Sequence, residues 1–224
     1  MADSPPIRFE LRRGVVTAAP LAVAVGLFGV SFGVLAVTTA GFAAPAAVLM
    51  SMTTFAGSAQ FAAASVMAAG GQTTAAIAAA LLLNARYVPI GVSVARYLSG
   101  NSAVRFLKGQ LVVDESWAIA ARGDGSFNPG RLLGAGLLLW IAWVGGTVVG
   151  VLGGEALGNP AVLGLDAAFP ALFLALLVGQ LRSRRATTAA VLGAAIALSL
   201  VGFTPPGVPI VAAAAAALIG LVRR

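Results

Sequence analysis

The sequence predicts an all-α fold: a polytopic membrane helix bundle of seven or eight transmembrane helices, with one discontinuous helix near Gly57. Three observations predict it. The 224-residue chain is 59% hydrophobic and only 9% charged, whereas soluble domains carry roughly a quarter charged residues. No charged residue stands between Gly14 and Ala85. Within that uncharged region, Met50 to Phe61 (MSMTTFAGSAQF) gathers small and polar residues in an environment where an unsatisfied backbone amide costs several kcal/mol.

At about 20 to 25 residues per crossing, the chain holds seven or eight helices and leaves no room for a soluble domain. Residues 1–13, with Pro5, Pro6 and mixed charge, read as a short N-terminal tail, and residues 14–224 as a single transmembrane domain. Arg8, Arg12 and Arg13 precede an apolar run too long for a signal-peptide core. That run, Gly14 to about Thr38, is the first helix. Its Gly29 and Gly33 have the four-residue spacing of a close-packing face.

The second segment runs from about Ala44 to Ala69 and contains the Met50–Phe61 stretch. An interruption is expected between about Thr54 and Gln60. Thr53, Thr54, Ser58 and Gln60 can satisfy freed backbone groups or face water, and Gly57 allows the helix to unwind at little steric cost. Discontinuous helices at mid-membrane are a common way for transporters to build a site. Small residues alone fit a close-packed helix pair equally well, but Gln60 is too large for a packing notch.

The third segment, Thr73 to about Leu98, contains Asn84 and Arg86. At 1.5 Å per residue, Arg86 lies roughly 18 Å into a core about 30 Å thick, beyond easy reach of either interface. It needs an acidic or carbonyl partner. One candidate is the carbonyl of Ala85, expected to be freed by Pro89. The others are Asp114 and Glu115, in the semi-apolar stretch QLVVDESWAIAAR from Gln110 to Arg122. Adjacent carboxylates point about 100° apart on a helix, so one faces the interior and the other water or the turn.

After the polar GDGSFNPGR loop comes a long helix, about Leu132 to Leu152, with Trp140, Trp143 and a second small-residue seam at Gly146, Gly150 and Gly154. Asp166 stands near one end of a further helix, Gly164 to Leu181, as a helix cap or as a coupling or ion-pair residue. Two alanine-rich helices close the chain, about Ala186–Phe203 and Val208–Val222. The positive-inside rule places the C-terminus in the cytoplasm and leaves the N-terminus open, because the DESW segment can be counted as a crossing or not.

Composition also excludes functions. The net charge of +7 lies in short groups at the ends of apolar segments, which suits topology signals and the lipid bilayer surface and not nucleic acid. With no cysteine and no histidine, thiol and imidazole chemistry are absent. No catalytic residue, metal ligand or cofactor is predicted, and no GxxxxGK loop for ATP occurs.

Several of these residues together resemble a known family. Gly29, Phe32 and Gly33, then MS and FAGSAQF within Met50–Phe61, then Asn84 and Arg86, Asp114 and Glu115, and LD with FP at Leu165, Asp166, Phe169 and Pro170, are similar to the AzlC family, the large subunits of branched-chain amino acid exporters. The resemblance covers about residues 14 to 181, and FAGSAQF is its most specific element. It implies a multi-pass permease of the bacterial plasma (inner) membrane, not an enzyme. Its substrate would be valine, leucine or isoleucine, with methionine as a further candidate. It also implies a gradient as the driving force and a small AzlD-type membrane subunit as partner.

For an amino-acid substrate the residues suggest a site. Backbone amides at Gly57–Ser58, with Gln60 or Arg86, take the carboxylate; Asp114 or Glu115 takes the ammonium or a coupling proton; Phe55 and Phe61 line the side-chain pocket, with Asn84 close by. Other classes are a pore-forming or structural membrane subunit, and an intramembrane aspartyl protease using two of Asp114, Asp124 and Asp166. The protease needs two carboxylates sharing one proton, and nothing in the sequence brings them together.

Overall fold

The computed structural model describes residues 6–156, 183–205 and 208–216, with Leu174, Leu177, Val178 and Leu181 between them. The expected helix around Asp166, and the residues beyond position 216, lie outside the described residues. What is described is helical, apart from one isolated antiparallel bridge between Ala121 and Phe127.

Helix α1 spans Ile7–Thr38. It begins earlier than expected, so the supposed tail is helical from Ile7 onward. Pro6 precedes its first turn and Glu10 lies within that turn, where the positive end of the helix dipole favours an acid. Helix α8, Pro129–Ala156, is the second long apolar helix.

The two small-residue seams read from the sequence face each other. A Cβ added at Gly14, Gly29 or Gly33 would strike the backbone of Arg131, Trp143 or Thr147, and one at Gly146 or Gly150 would strike Gly26 or Val30. Both lists ascend together, so α1 and α8 run parallel, backbone against backbone. We call the end where both begin the near end, and the other the far end.

A parallel pair obliges the intervening chain to return, and it does so through interrupted segments. Helix α2 (Ala44–Thr54) starts at the far end, where Ala44 and Pro45 lie beside Val151 and Leu152. Helix α3 is Gly57–Ala68. Nine residues along one helix span about 13 Å, yet the Ser51 and Gln60 side chains bond at 3.0 Å, and Met50 packs on a cluster containing Ala62, Ala63 and Val66. Helices α2 and α3 therefore fold back on each other as a hairpin entered from the far end. The expected discontinuous crossing is this hairpin.

Helices α4 (Thr73–Asn84) and α5 (Tyr87–Val94, continued as a 3-10 turn to Tyr97) form a path bent by 43° at Ala85–Arg86. It ends at the near end, where the Tyr97 ring meets Phe127 at 5.8 Å. The Ala85 carbonyl is not left free by Pro89 as expected, because the Val88 amide takes it at 3.1 Å.

Helix α6 (Ser102–Gly109) turns back beside α5, and Leu111 abuts Gly136 within α8. Helix α7 (Asp114–Ala120) then returns toward the near end, where the Asn128 amide donates to Ala120 O. Helices α6 and α7 thus make a second hairpin, entered from the near end. At seven residues, about 10 Å, α7 is too short to cross a membrane.

Helices α9 (Arg184–Leu200) and α10 (Val208–Ala213) pack on each other, and Pro205 and Val208 of this pair lie beside Gln72 and Thr74. Among the described residues two helices are long and apolar enough to cross a membrane, three if the bent α4–α5 pair is one span. The expected count of seven or eight is not reached there.

Candidate functional site

The tip of the α2–α3 hairpin is the FAGSAQF stretch. Its turn falls at Phe55–Ala56, and the left-handed residue is Phe55 (φ 39, ψ 52), not Gly57. A bulky residue rarely adopts that conformation. Gly57 is instead the first residue of α3, and its lack of a side chain serves a neighbour: a Cβ there would lie 3.0 Å from the Trp143 ring.

Breaking the helix frees backbone groups that must find partners. The Ala56 amide donates to Gln60 Oε1 at 3.3 Å, and the Met52 carbonyl accepts from Trp140 Nε1 at 3.0 Å.

Gln60 is fully buried and anchors a closed ring of hydrogen bonds. Its Nε2 donates to Ser51 Oγ (3.0 Å), Ser51 Oγ meets Thr147 Oγ1 (2.9 Å), Thr147 Oγ1 donates to Trp143 O (2.9 Å), and Trp143 Nε1 donates back to Gln60 Oε1 (3.0 Å). Because the Thr147 proton is committed to Trp143 O, the Ser51 hydroxyl is the donor to Thr147. Ser51 and Thr147 are also fully buried, and Phe32, Phe61 and Trp143 stack around the ring. With its amide engaged on both atoms, Gln60 holds the hairpin to α8. The structure thus places it in a buried hydrogen-bond ring, whereas a place in the carboxylate site was expected. Phe55 and Phe61 are likewise core residues.

Arg86 stands at the bend between α4 and α5 and joins both hairpin tips. Its guanidinium donates to Ser58 Oγ at 2.9 Å on the first tip and lies 3.3 Å from Asp114 Oδ2 at the second. It also reaches the Tyr87 hydroxyl at 3.4 Å and covers that ring. The Arg86 and Asp114 side chains are 42% and 39% exposed, so the pair is open on one side and not sealed in the bundle as expected. Glu115 is half-buried and makes no ion pair among the described residues. Asn84 is half-buried, and its Oδ1 is buried without a donor.

The second tip is closed by Ser116, which is fully buried: its hydroxyl accepts from the Val113 amide at 2.9 Å and lies 2.8 Å from Leu111 O. Trp117 Nε1 donates to Ser93 Oγ at 2.9 Å and ties α7 to α5. Asp124 sits in the turn after α7, where its Oδ1 accepts from the Ser126 amide at 2.9 Å. It is a helix length from Asp114, so these two do not form a protease dyad. Asp166 lies outside the described residues. Among the described residues no cluster of metal-ligating side chains occurs.

Sequence reasoning missed Ser51, Trp143, Thr147 and Glu10. Buried Glu10 accepts from Arg131 Nε and Asn128 Nδ2, both at 2.7 Å, and clamps the starts of α1 and α8. An acid in a supposed tail of mixed charge gave no signal. The indole N–H groups of Trp140 and Trp143 did, since each needs an acceptor inside an apolar helix.

The chain matches the family model described as AzlC protein over residues 20–157. A protein of Archaeoglobus fulgidus described as an uncharacterized membrane protein is 34% identical over 214 residues, covering 92% of this chain and 91% of its own. No solved structure gives a significant match.

Proposed function

The chain is a membrane protein belonging to the AzlC family, and from that premise we propose that it is a secondary transporter exporting branched-chain amino acids across the plasma membrane. The observation that carries this reading is the Arg86–Asp114 pair, held where two re-entrant hairpins meet and open on one side. A zwitterion can enter such a pair with no net change of charge. Its carboxylate replaces Asp114 on Arg86, its ammonium is received by the released Asp114, and the Ser58 hydroxyl remains as an additional donor to the carboxylate. Asn84 Oδ1 offers a further acceptor near the bend. Glu115 suits a coupling proton, since only Asp114 is paired.

Arg8, Arg12, Arg13, Arg96, Arg105, Lys108, Arg122 and Arg131 all lie on segments at the near end. By the positive-inside rule this end is cytoplasmic, which places the N-terminus inside. A small AzlD-type membrane subunit completes the proposed assembly.

The test is efflux of labelled valine, leucine and isoleucine from proteoliposomes, with and without the small subunit and an imposed pH gradient. Saturable, gradient-dependent efflux that Arg86→Ala abolishes is expected. Absence of flux under every gradient, with the protein folded, would favour a structural subunit instead.

A further inference from the structure

Arg86 can be approached along a groove of about 450 Å³ between α5 and α6. At its inner end is Tyr87, whose ring lies under the Arg86 guanidinium. Toward the near end lies Arg105, bonded to the Ala95 carbonyl at 3.3 Å and exposed. Between them the walls are mainly apolar, with Phe106 and Val112 on one side and Gly91 on the other. The volume falls within the range of small-ligand sites. The other described grooves lead elsewhere: one, between α2 and α8, is lined by Val48, Leu49 and Leu152, another lies between α4 and α10, and a third, lined by Glu10, Arg13 and Arg122, lies where α1 and α8 begin.

We infer that the α5–α6 groove is the path by which an apolar amino acid reaches the Arg86–Asp114 pair from the near end, with Arg105 drawing the carboxylate into its mouth. The inference rests on the transport reading for the identity of the occupant. What favours an amino acid over a lipid chain is the ion pair at the inner end, which can receive a zwitterion; the cation at the outer end suits a carboxylate and a lipid phosphate alike. Apolar walls between them suit an aliphatic side chain. The groove opens at the end rich in basic residues, the side from which an exporter loads.

The chain has no cysteine, so single introduced thiols report without background. Gly91 and Gly109 both line the groove, and an added Cβ meets nothing within 4 Å at either position. Inside-out vesicles carrying Gly91→Cys or Gly109→Cys are treated with an anionic, impermeant thiosulfonate. Val88→Cys, exposed but outside the groove, is the control expected to face lipid.

Modification in the groove is expected to be at least about tenfold faster than at position 88, because the reactive thiolate needs water. Leucine at about twice its Kd slows it roughly threefold. Adding Arg105→Gln lowers the ratio of anionic to cationic reagent rates at Gly109→Cys, because the steering charge is gone. Groove thiols no more reactive than the Val88→Cys control would overturn the proposal even if efflux is normal. So would reactive thiols that leucine does not protect while efflux persists. Leucine protection without efflux under any gradient would support the path and sink the transport reading alone.

Discussion

The two hairpin tips close their backbones by the same device and then diverge. At the first, Gln60 receives the Ala56 amide four residues back; at the second, Ser116 receives the Val113 amide three residues back. In each, a fully buried side-chain oxygen captures an N–H that the interruption leaves exposed. The first tip then extends its bonds into a closed ring with Ser51, Thr147 and Trp143 on α8. At the second, the buried Ser116 bonds within its own turn, and the tip carries Asp114 and Glu115 beside an open groove. An interrupted helix in a membrane is thus compatible with two opposite jobs. Where its polar groups are saturated by a neighbouring helix it is scaffold, and where a charge remains half-exposed it has the free bonding capacity that the proposed ligand site needs.

The largest effect tests the scaffold half of that contrast. Gln60→Leu leaves the Ala56 and Trp143 N–H groups buried without an acceptor, at about 1 to 3 kcal/mol each, so roughly 2 to 6 kcal/mol in all. The expected outcome is a marked fall in thermal stability of the detergent-solubilised protein, with flux lost only in proportion to folded material. An unchanged melting temperature, with flux specifically abolished, would return Gln60 to the ligand site. Ser116→Ala orphans the buried Val113 amide and takes the hydroxyl donor from the Leu111 carbonyl, and should cost about 1 to 3 kcal/mol, chiefly from the buried amide. If it destabilises more than Gln60→Leu, the ranking of the two tips is wrong.

The third prediction concerns the residue shared by both tips. Arg86→Ala is expected to abolish valine efflux and to leave Asp114 unpaired. Asp114→Asn should then restore part of the lost stability, with a coupling of about 0.5 to 3 kcal/mol in a double-mutant cycle. Glu115→Gln, read in the same assay, should show no such coupling, since Glu115 makes no ion pair with Arg86. Additive losses for Asp114→Asn and coupling for Glu115→Gln would mean that the pairing is the reverse of the one observed.

Local chemistry was legible in the sequence to a greater degree than topology. An arginine at mid-depth in an apolar segment demands a partner, and the adjacent acids 114 and 115 offered one. A glutamine among small residues likewise signalled freed backbone. What the sequence could not convey was direction. A crossing and a hairpin share the same apolar content and the same polar tip, so α2–α3 read as one crossing, and contacts across the tip, the Ser51–Gln60 bond and Met50 on Ala62 and Val66, distinguish them. Seams at Gly29 and Gly33 and at Gly146 and Gly150 each announced close packing, but nothing in their spacing says that the two meet, or in parallel. Glu10 was invisible because Asn128 and Arg131, the partners that make it a clamp, lie more than a hundred residues away.

The smallest effect separates two explanations of one glycine. If Gly57 were needed for its freedom to unwind, alanine there would be strongly destabilising, because it would force a residue with a Cβ into a conformation that glycine alone tolerates well. The structure gives the positive φ to Phe55 and begins α3 at Gly57, so what matters at 57 is volume. An alanine Cβ would meet the Trp143 ring at 3.0 and 3.2 Å, and that ring is held by its bond to Gln60 and stacked on Phe32. Shifting it costs about 1 to 3 kcal/mol of overpacking, against which alanine in place of glycine in a helix returns about 0.5 to 1 kcal/mol. The net for Gly57→Ala is therefore a loss of roughly 0 to 2.5 kcal/mol in thermal stability, accompanied by a change in Trp143 fluorescence measured in a Trp117→Phe, Trp140→Phe background. Gly57→Ala combined with Trp143→Phe, compared with Trp143→Phe alone, supplies the decisive arm: the smaller ring relieves the clash, and the alanine should then be neutral or stabilising. A large loss that persists in the smaller-ring background would show that backbone freedom, and not the tryptophan, fixes glycine at the tip.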